Sequence, residues 1–379
     1  MPFLKKDTGF VYDKLEQEIQ EQILGGKLKA GDCILSESRL CEHYGISRRS
    51  VRTAIDNLIA KGLLYKKQGK GCFVVSLKSG TGMKLAKYSI ALIIPDISDI
   101  FILTLCEGIQ HAANRMNCNL VIKTSNGDVN RENQNIHYSL QQQEDGVIIF
   151  PNSGRANLDA LLRLNDAGIP FVLIDRKFDD LDANFVGVDN VNGGYLATEH
   201  LIKLGHRKIA HLYGSKGSAN DGRLQGFRKA MSDHGISCDE NMIRCFEHLN
   251  IISSENRFEP DMEGGYENMK FLLRRKTPPT AIFAGNDYQA IGAIRAIHEA
   301  GLKVPDDISV VGFDDLKINP LLKIPLTTVH QPQHEIGQTA LALLIQKIEE
   351  LRAGKHTETI QRLLPVYLHE RESSALIKK

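Results

Sequence analysis

Three arginines, Arg48, Arg49 and Arg52, fall within five residues directly behind Ser47. The apolar residues Val51, Ile55, Leu58 and Ile59 recur at helical spacing through the same stretch, which predicts a helix with those four turned inward. Ser47 is the residue type that caps such a helix, so the arginines occupy its first two turns on the outward side. A planar guanidinium there can pair with O6 and N7 of guanine in a major groove. Downstream, Leu63 to Val75 reads as two short strands around Gly69-Lys70-Gly71, with Lys66 and Lys67 on the first strand. From Ile46 to Lys70 there are seven basic residues and one acid, Asp56, an imbalance suited to several phosphate contacts.

The elements that hold these residues are also legible. Val11, Leu15, Ile19 and Ile23 mark one face of a helix that ends at Gly25-Gly26. Ser36 caps a short helix to about Tyr44, with Leu40 and Cys41 inward, and Gly45 breaks it. Two helices joined by a tight turn, then a basic hairpin, make a winged helix-turn-helix; in that motif the start of the second helix enters the major groove of DNA. Ser76 to Lys84 is rich in Gly, Ser and Lys without an apolar period and reads as a tether.

This head resembles the DNA-binding domain of the GntR family of bacterial regulators. The matching residues are Leu35-Ser36-Glu37, Leu40, Tyr44 to Arg48, Val51 to Ile55, Leu58, Gly62-Leu63 and Gly69 to Val74. The resemblance implies that Ser36 and Glu37 begin a helix against the DNA backbone and that Arg48 and Arg52 read bases. It also implies that the Gln68-Gly69-Lys70 tip enters the minor groove. Leu35 and Cys72 stand where the family usually has Pro and Thr.

Beyond residue 88, short apolar runs alternate with helical patterns. Runs at 89–94, 120–122, 146–150, 171–174, 209–213, 281–284 and 308–312 read as strands; 101–116, 130–142, 156–167 and 193–204 read as helices. Strands buried on both faces and joined by helices form parallel, doubly wound sheets, and two such runs make two lobes with a cleft. Ligands of such sheets bind beyond the carboxyl ends of the strands. Polar residues stand there: Asp99 beside Phe101, Asp175-Arg176, Asp221 and Arg223, Asn286-Asp287, and Asp314-Asp315. Carboxylates, Asn and Arg around an aromatic ring suit a neutral polyol. Capping a helix is the alternative role for each, clearest for Asp287.

The body resembles the effector domain of the LacI/GalR family, itself similar to periplasmic sugar-binding proteins. The motifs are Gly187-Val188-Asp189-Asn190 with Gly193-Gly194, Glu199 to Leu201 with Leu204 to Ala210, Arg223 to Phe227, Asn286-Asp287, Val304 to Asp315 and Pro325 to Pro332. This resemblance implies that Arg223 and Asp287 bind the effector, that Phe101 and Ile102 line the pocket, and that the chain crosses between lobes near Val188, Val304 and Gln331. A GntR-type head on a LacI-type body is the arrangement of the arabinose-repressor group.

Bulk properties agree with this division. Residues 1–87 hold 16 Lys+Arg and 9 Asp+Glu, a net +7; the remainder holds 31 and 37, a net −6. A basic head on an acidic body confines polyanion binding to the head. Seven scattered cysteines without a CxxC pair suit reduced thiols. Met1 to Phe10 lacks the apolar run of a secretion signal, and no stretch is long and apolar enough to span a bilayer. No P-loop, GxSxG or HExxH occurs, and His200 and His206 match a helix end and turn rather than a metal site.

The expected architecture is an α+β winged helix-turn-helix domain (1–76), a linker (77–87) and an α/β two-lobed periplasmic-binding-protein-like domain with two doubly wound parallel sheets (88–372). Lobe 1 is expected at about 88–188 and 304–330, and lobe 2 at about 189–303 and 331–372. The expected function is a cytoplasmic, homodimeric DNA-binding regulator with no enzymatic activity, cofactor, metal or membrane contact. It represses carbohydrate-utilisation genes from a palindromic operator and is released by a small sugar such as L-arabinose. A sugar-responsive activator and a regulator sensing a non-sugar or phosphorylated metabolite are the alternatives. The expected DNA-binding residues are Ser36, Glu37, Ser47, Arg48, Arg49, Arg52, Lys66, Gln68, Gly69 and Lys70. Those for the effector are Asp99, Phe101, Ile102, Asp175, Arg176, Asp221, Arg223, Asp287 and Asp315.

Overall fold

A computed structural model describes residues 11–25, 27–67, 70–75, 86–142, 144–152, 157–178, 180–214, 217–245, 260–355 and 358–378. The chain divides into two compact units, Met1–Leu85 and Ala86–Lys379. Gln68, Gly69 and tether residues 76–85 lie outside the described residues.

In the first unit, α1 (Val11–Leu24), α2 (Glu37–Tyr44) and α3 (Arg48–Ala60) precede the antiparallel pair β1 (Leu64–Lys67) and β2 (Gly71–Val74). Each element contributes to one core: Leu15 and Ile19 from α1, Leu40 from α2, Val51, Ala54, Ile55 and Leu58 from α3, and Leu64, Cys72 and Val74 from the hairpin. A fully buried leucine such as Leu58 contributes roughly 1.5–3 kcal/mol by leaving water. Gly45 ends α2 at φ 65°, a left-handed turn that a side chain disfavours, and so redirects the chain into α3.

The second unit contains β3 (Tyr88–Ile94), α4 (Ile100–Met116), β4 (Cys118–Thr124), α5 (Val129–Gln141), β5 (Gly146–Ile149), α6 (Leu158–Asp166), β6 (Phe171–Ile174) and β7 (Asn184–Val188). It continues through α7 (Asn190–Lys203), β8 (Ile209–Tyr213), α8 (Ser218–Asp233), β9 (Ile243–Cys245), α9 (Pro260–Leu273), β10 (Ala281–Ala284), α10 (Asp287–Glu299), β11 (Ser309–Asp314) and β12 (Thr327–His330). The last elements are α11 (Gln333–Arg352), β13 (Gln361–Leu364) and β14 (Tyr367–His369).

Two six-stranded sheets result, in the orders β13-β7-β6-β5-β3-β4 and β14-β12-β11-β10-β8-β9. The first is parallel throughout; the second is parallel except for β14, which runs antiparallel to β12 along its edge. Close helix approach is built on small residues: a Cβ on Gly194 of α7 would collide with the Arg223 carbonyl, and one on Gly226 of α8 with the Val191 carbonyl.

The sheet orders correct the expected lobe boundaries. Strand β11 pairs with β10 and β12 pairs with β11, so residues 309–330 complete lobe 2, whereas α11 and β13 return to lobe 1. The crossings therefore fall after Val188, at Gln331 and between Leu364 and Tyr367, and none falls at Val304. The apolar run at 308–312 has the same character in either sheet, so only register decides its partner. The body also continues past residue 372. Ser373 Oγ donates to the Val310 carbonyl at 2.6 Å, and the Ile377 amide to the Leu204 carbonyl at 2.9 Å.

Candidate functional site

Two serine caps fix the starts of α2 and α3 in the head. Ser36 Oγ accepts from the Arg39 amide at 3.4 Å, and Ser47 Oγ from the Ser50 amide at 3.1 Å. Each satisfies a donor that the first helical turn leaves free. With α3 fixed by Val51, Ile55 and Leu58, the side chains of Arg48, Arg49 and Arg52 point away from the core and are exposed. Glu37, the first residue of α2, places Oε2 2.9 Å from Arg52 Nε and Oε1 3.9 Å from Lys66 Nζ. One carboxylate thus ties the helix that carries the arginines to the first strand of the wing. Arg48 reaches Ser38 Oγ at 3.4 Å, and Lys70 is exposed where the hairpin turns back. Gln68 and Gly69, the other two expected tip residues, lie outside the described residues.

In the body, a cleft of about 440 Å³ opens at the carboxyl ends of both sheets, where strand order reverses between β3 and β5 and between β8 and β10. Lobe 1 contributes Asp99, Phe101, Phe150, Asn152, Asp175 and Arg176; lobe 2 contributes Asn220, Arg223, Asp261, Asn286, Tyr288 and Asp314. Its size and mixed lining are those of a small-molecule site. Phe101 and Phe150 meet edge to face at 6.3 Å, and the Arg176 guanidinium lies 5.1 Å above the Phe150 ring.

Arg223 is the best-anchored polar group. It is buried on α8, donates from Nε to Asn190 Oδ1 at 2.8 Å and from a terminal nitrogen to the Gly285 carbonyl at 2.6 Å, and stacks 3.9 Å above the Phe313 ring. Its other terminal nitrogen stands 3.9 Å from Asp314. Burial pushes the Asp314 carboxyl up, opposed by the Arg223 charge, while Gln331 Nε2 donates to it at 2.7 Å. Gln331 lies where the chain crosses between lobes, so the crossing is hydrogen-bonded to a carboxylate that stands 3.9 Å from the Arg223 guanidinium.

Asp99 caps α4 by accepting from the Phe101 amide at 2.8 Å. Burial pushes its carboxyl up to about 6, and the charges of Asp261 and Asp175 push the same way. Across the cleft, Asn286 Nδ2 and Gln289 Nε2 hold Asp261 at 2.8 and 3.2 Å. The Tyr288 hydroxyl accepts from the Ile100 amide at 3.4 Å, a direct contact between lobes.

Of the effector residues expected from sequence, the cleft brings together Asp99, Phe101, Asp175, Arg176 and Arg223. The other four lie elsewhere. Ile102 is turned into the core of lobe 1, and Asp221 is exposed on the first turn of α8. Asp287 is wholly buried as the first residue of α10, accepting from the Leu316 amide, Asn319 Nδ2 and Thr328 Oγ1 at 2.6–2.9 Å. It does not cap the helix either; Asn286 does, through the Gln289 amide. Asp315 is engaged by His330, His369 and Arg371 outside the cleft. Sequence reasoning missed Phe150, Asn152, Asn220, Asp261 and Tyr288. Phe150 and Asn152 stand just beyond an apolar strand and were open to the same strand-end argument, whereas Asp261 follows a stretch with no readable pattern.

A basic helix-turn-helix head with a wing, carried on a two-lobed α/β body with an interlobe cleft, is the build of a ligand-responsive DNA-binding regulator. Residues 11–74 match the bacterial regulatory proteins of the gntR family, and residues 198–374 match the periplasmic binding protein-like domain. The chain is similar to the arabinose metabolism transcriptional repressor of Geobacillus stearothermophilus, with 32% identity over 95% of this chain and 97% of that one. It is also similar to the ribose operon repressor of Haemophilus influenzae, at 33% identity over 72% of this chain and 78% of the other. Among solved structures, a LacI family transcriptional regulator from Enterococcus faecium with bound ribose superposes with a TM-score of 0.64 at 31% identity, covering 76% of this chain and all of that one. The chain belongs to the family of the arabinose metabolism transcriptional repressors. It is a DNA-binding transcriptional repressor, and these relatives are regulators rather than enzymes. Among the described residues, no helix is long and apolar enough to cross a membrane.

Proposed function

We propose that this repressor acts in the cytoplasm as a homodimer on a palindromic operator and is released when a small neutral sugar, a pentose such as L-arabinose, fills the cleft. A two-fold protein presents two heads to a two-fold site, which is the basis for the pairing. The reading is carried by the cleft lining. Fixed carboxylates, asparagines and Arg223 supply acceptors and donors for hydroxyls, while Phe101 and Phe150 supply a flat apolar wall. Arg176 and Arg223 are already engaged with Asp175 and Asp314, so the cleft offers no surplus positive charge, and an unphosphorylated ligand is favoured. Arabinose and ribose in the names of relatives, and ribose bound in a structural neighbour, point to the same class.

Sugar-driven closure would join the lobes at their crossings and alter the spacing of the paired heads. Coupling is reciprocal, so DNA weakens sugar binding by the same factor; a 100-fold effect requires only ~2.7 kcal/mol. The test is a panel of pentoses, hexoses and sugar phosphates scored by thermal shift on the full chain and by release from operator DNA. A neutral pentose that raises the melting temperature and releases the DNA supports the reading. If no carbohydrate does both, it fails.

A further inference from the structure

Outside the cleft, three side chains from separate segments converge on the side of lobe 2 that faces the crossings. Asp315 follows β11, His330 is the last residue of β12 before the chain leaves for lobe 1, and His369 lies on β14, just after the chain returns. Asp315 Oδ2 is 2.9 Å from His330 Nδ1 and 2.7 Å from His369 Nδ1, and the three atoms all lie within 4.8 Å of one another. We propose that Asp315, His330 and His369 form a binding site for a first-row divalent cation of the zinc type, placed where the chain crosses between the lobes.

The donor set is of the right kind. Two imidazole nitrogens and one carboxylate oxygen, with a fourth position open to water, are ligands zinc takes in tetrahedral geometry. Bound at ~2.0–2.1 Å, such donors stand about 3.3 Å apart, so each hydrogen bond need widen by only about half an ångström as its proton is displaced. His369 is 44% exposed and His330 23%, which leaves an entry path and room for water.

The surroundings hold these groups in place. The His330 ring stacks on Tyr367 at 4.6 Å, and the His369 ring meets the edge of Tyr367 at 5.0 Å. Asp315 Oδ1 accepts from Arg371 at 2.6 Å, and Arg371 is itself anchored on the Leu326 carbonyl at 2.8 Å. The carboxylate is thereby oriented by one oxygen while the other faces both histidines, the arrangement that outer hydrogen bonds give a metal ligand. The Arg371 guanidinium, 3.3 Å from His369 Nδ1, opposes a second positive charge and weakens the site without filling it. The ligands are 15 and 39 residues apart, so no sequence motif announces them.

The experiment uses the full chain, stripped with a chelator and exchanged into a non-coordinating buffer. Zn²⁺ is titrated by calorimetry, and Co²⁺ is added as a visible-absorbing substitute. The wild type is expected to bind one equivalent that His369→Ala and His330→Ala each lose, to gain the Co²⁺ absorption of a low-coordinate nitrogen–oxygen site, and to melt at higher temperature with Zn²⁺. Circular dichroism establishes that each variant is folded, and His369→Gln replaces any that is not. Failure of the wild type to bind Zn²⁺ overturns the proposal and leaves the cluster an ion-pair knot only. Undiminished stoichiometry in the histidine variants overturns it as well, since the metal then sits elsewhere. Sugar plays no part in the measurement, so the outcome is independent of the effector reading.

Discussion

Arg52 of α3 and Glu37 of α2 form a pair, with Nε and Oε2 2.9 Å apart and the arginine side chain still 64% exposed. An exposed pair of this kind adds only ~0–1 kcal/mol to stability. Its effect is to aim a long, flexible cation. Arg52→Ala is therefore expected to cost ~1–3 kcal/mol of operator affinity and to relax sequence preference. Glu37→Ala keeps the guanidinium but frees it and removes a negative charge from the DNA face, so it should lose discrimination while binding random duplex more tightly. Anisotropy titrations on operator and scrambled duplexes separate the two effects. Equal changes on both duplexes in Glu37→Ala would sink the clamp.

The wing makes a different prediction, because Lys70 offers charge without a planar fork. Lys70→Ala should weaken binding to all sequences alike and lower the slope of log affinity against log salt by about 1. A sequence-dependent loss would instead show that Lys70 reads a base.

Asp99 links the cleft to pH. Its carboxyl is raised from 3.8 to about 6, so the folded protein holds that proton more tightly than the unfolded chain. Its contribution to stability is therefore present at acid pH and declines as pH rises through about 4 to 6. Asp99→Asn should flatten that part of the stability profile. As an ionised acceptor for sugar hydroxyls, Asp99 should also make affinity rise through pH 6 in the wild type but not in the variant. Identical pH profiles by calorimetry would remove Asp99 from the ligand contacts.

Asp287 separates a structural role from a binding one. Three buried donors converge on its carboxylate, and Asp287→Ala leaves them without a partner. A loss of about 3 kcal/mol or more in the ligand-free protein is expected. A variant that melts like the wild type yet no longer responds to sugar would restore Asp287 to the ligand shell.

What the sequence made legible follows from how local the determining physics is. Serine caps, the Gly45 turn and the α3 apolar stripe are decided within a few residues, and Ser36, Ser47 and Gly45 act in the structure as their types demand. Strand ends in the body are also local, which is why Asp99, Asp175 and Arg223 could be picked out. Direction was not. Asp287 and Asp315 follow strands as Asp175 does, but their carboxylates are drawn away by Thr328 and Asn319 in one case and by His330 and Arg371 in the other. Those partners come from distant segments that carry no signal of the pairing. Sheet membership failed for the same reason, since β11 and β13 could each have extended either sheet by hydrophobicity alone.

The return of α11 and β13 to lobe 1 has a consequence for synthesis. Until residue 364 has left the ribosome, β7 has no outer neighbour and lobe 1 remains an unfinished sheet with an open edge. Lobe 2 likewise waits for β14 and the tail strapped onto β11 by Ser373. Neither lobe can close early on the nascent chain, because the strands that complete them, β13 and β14, follow one another within residues 361–369.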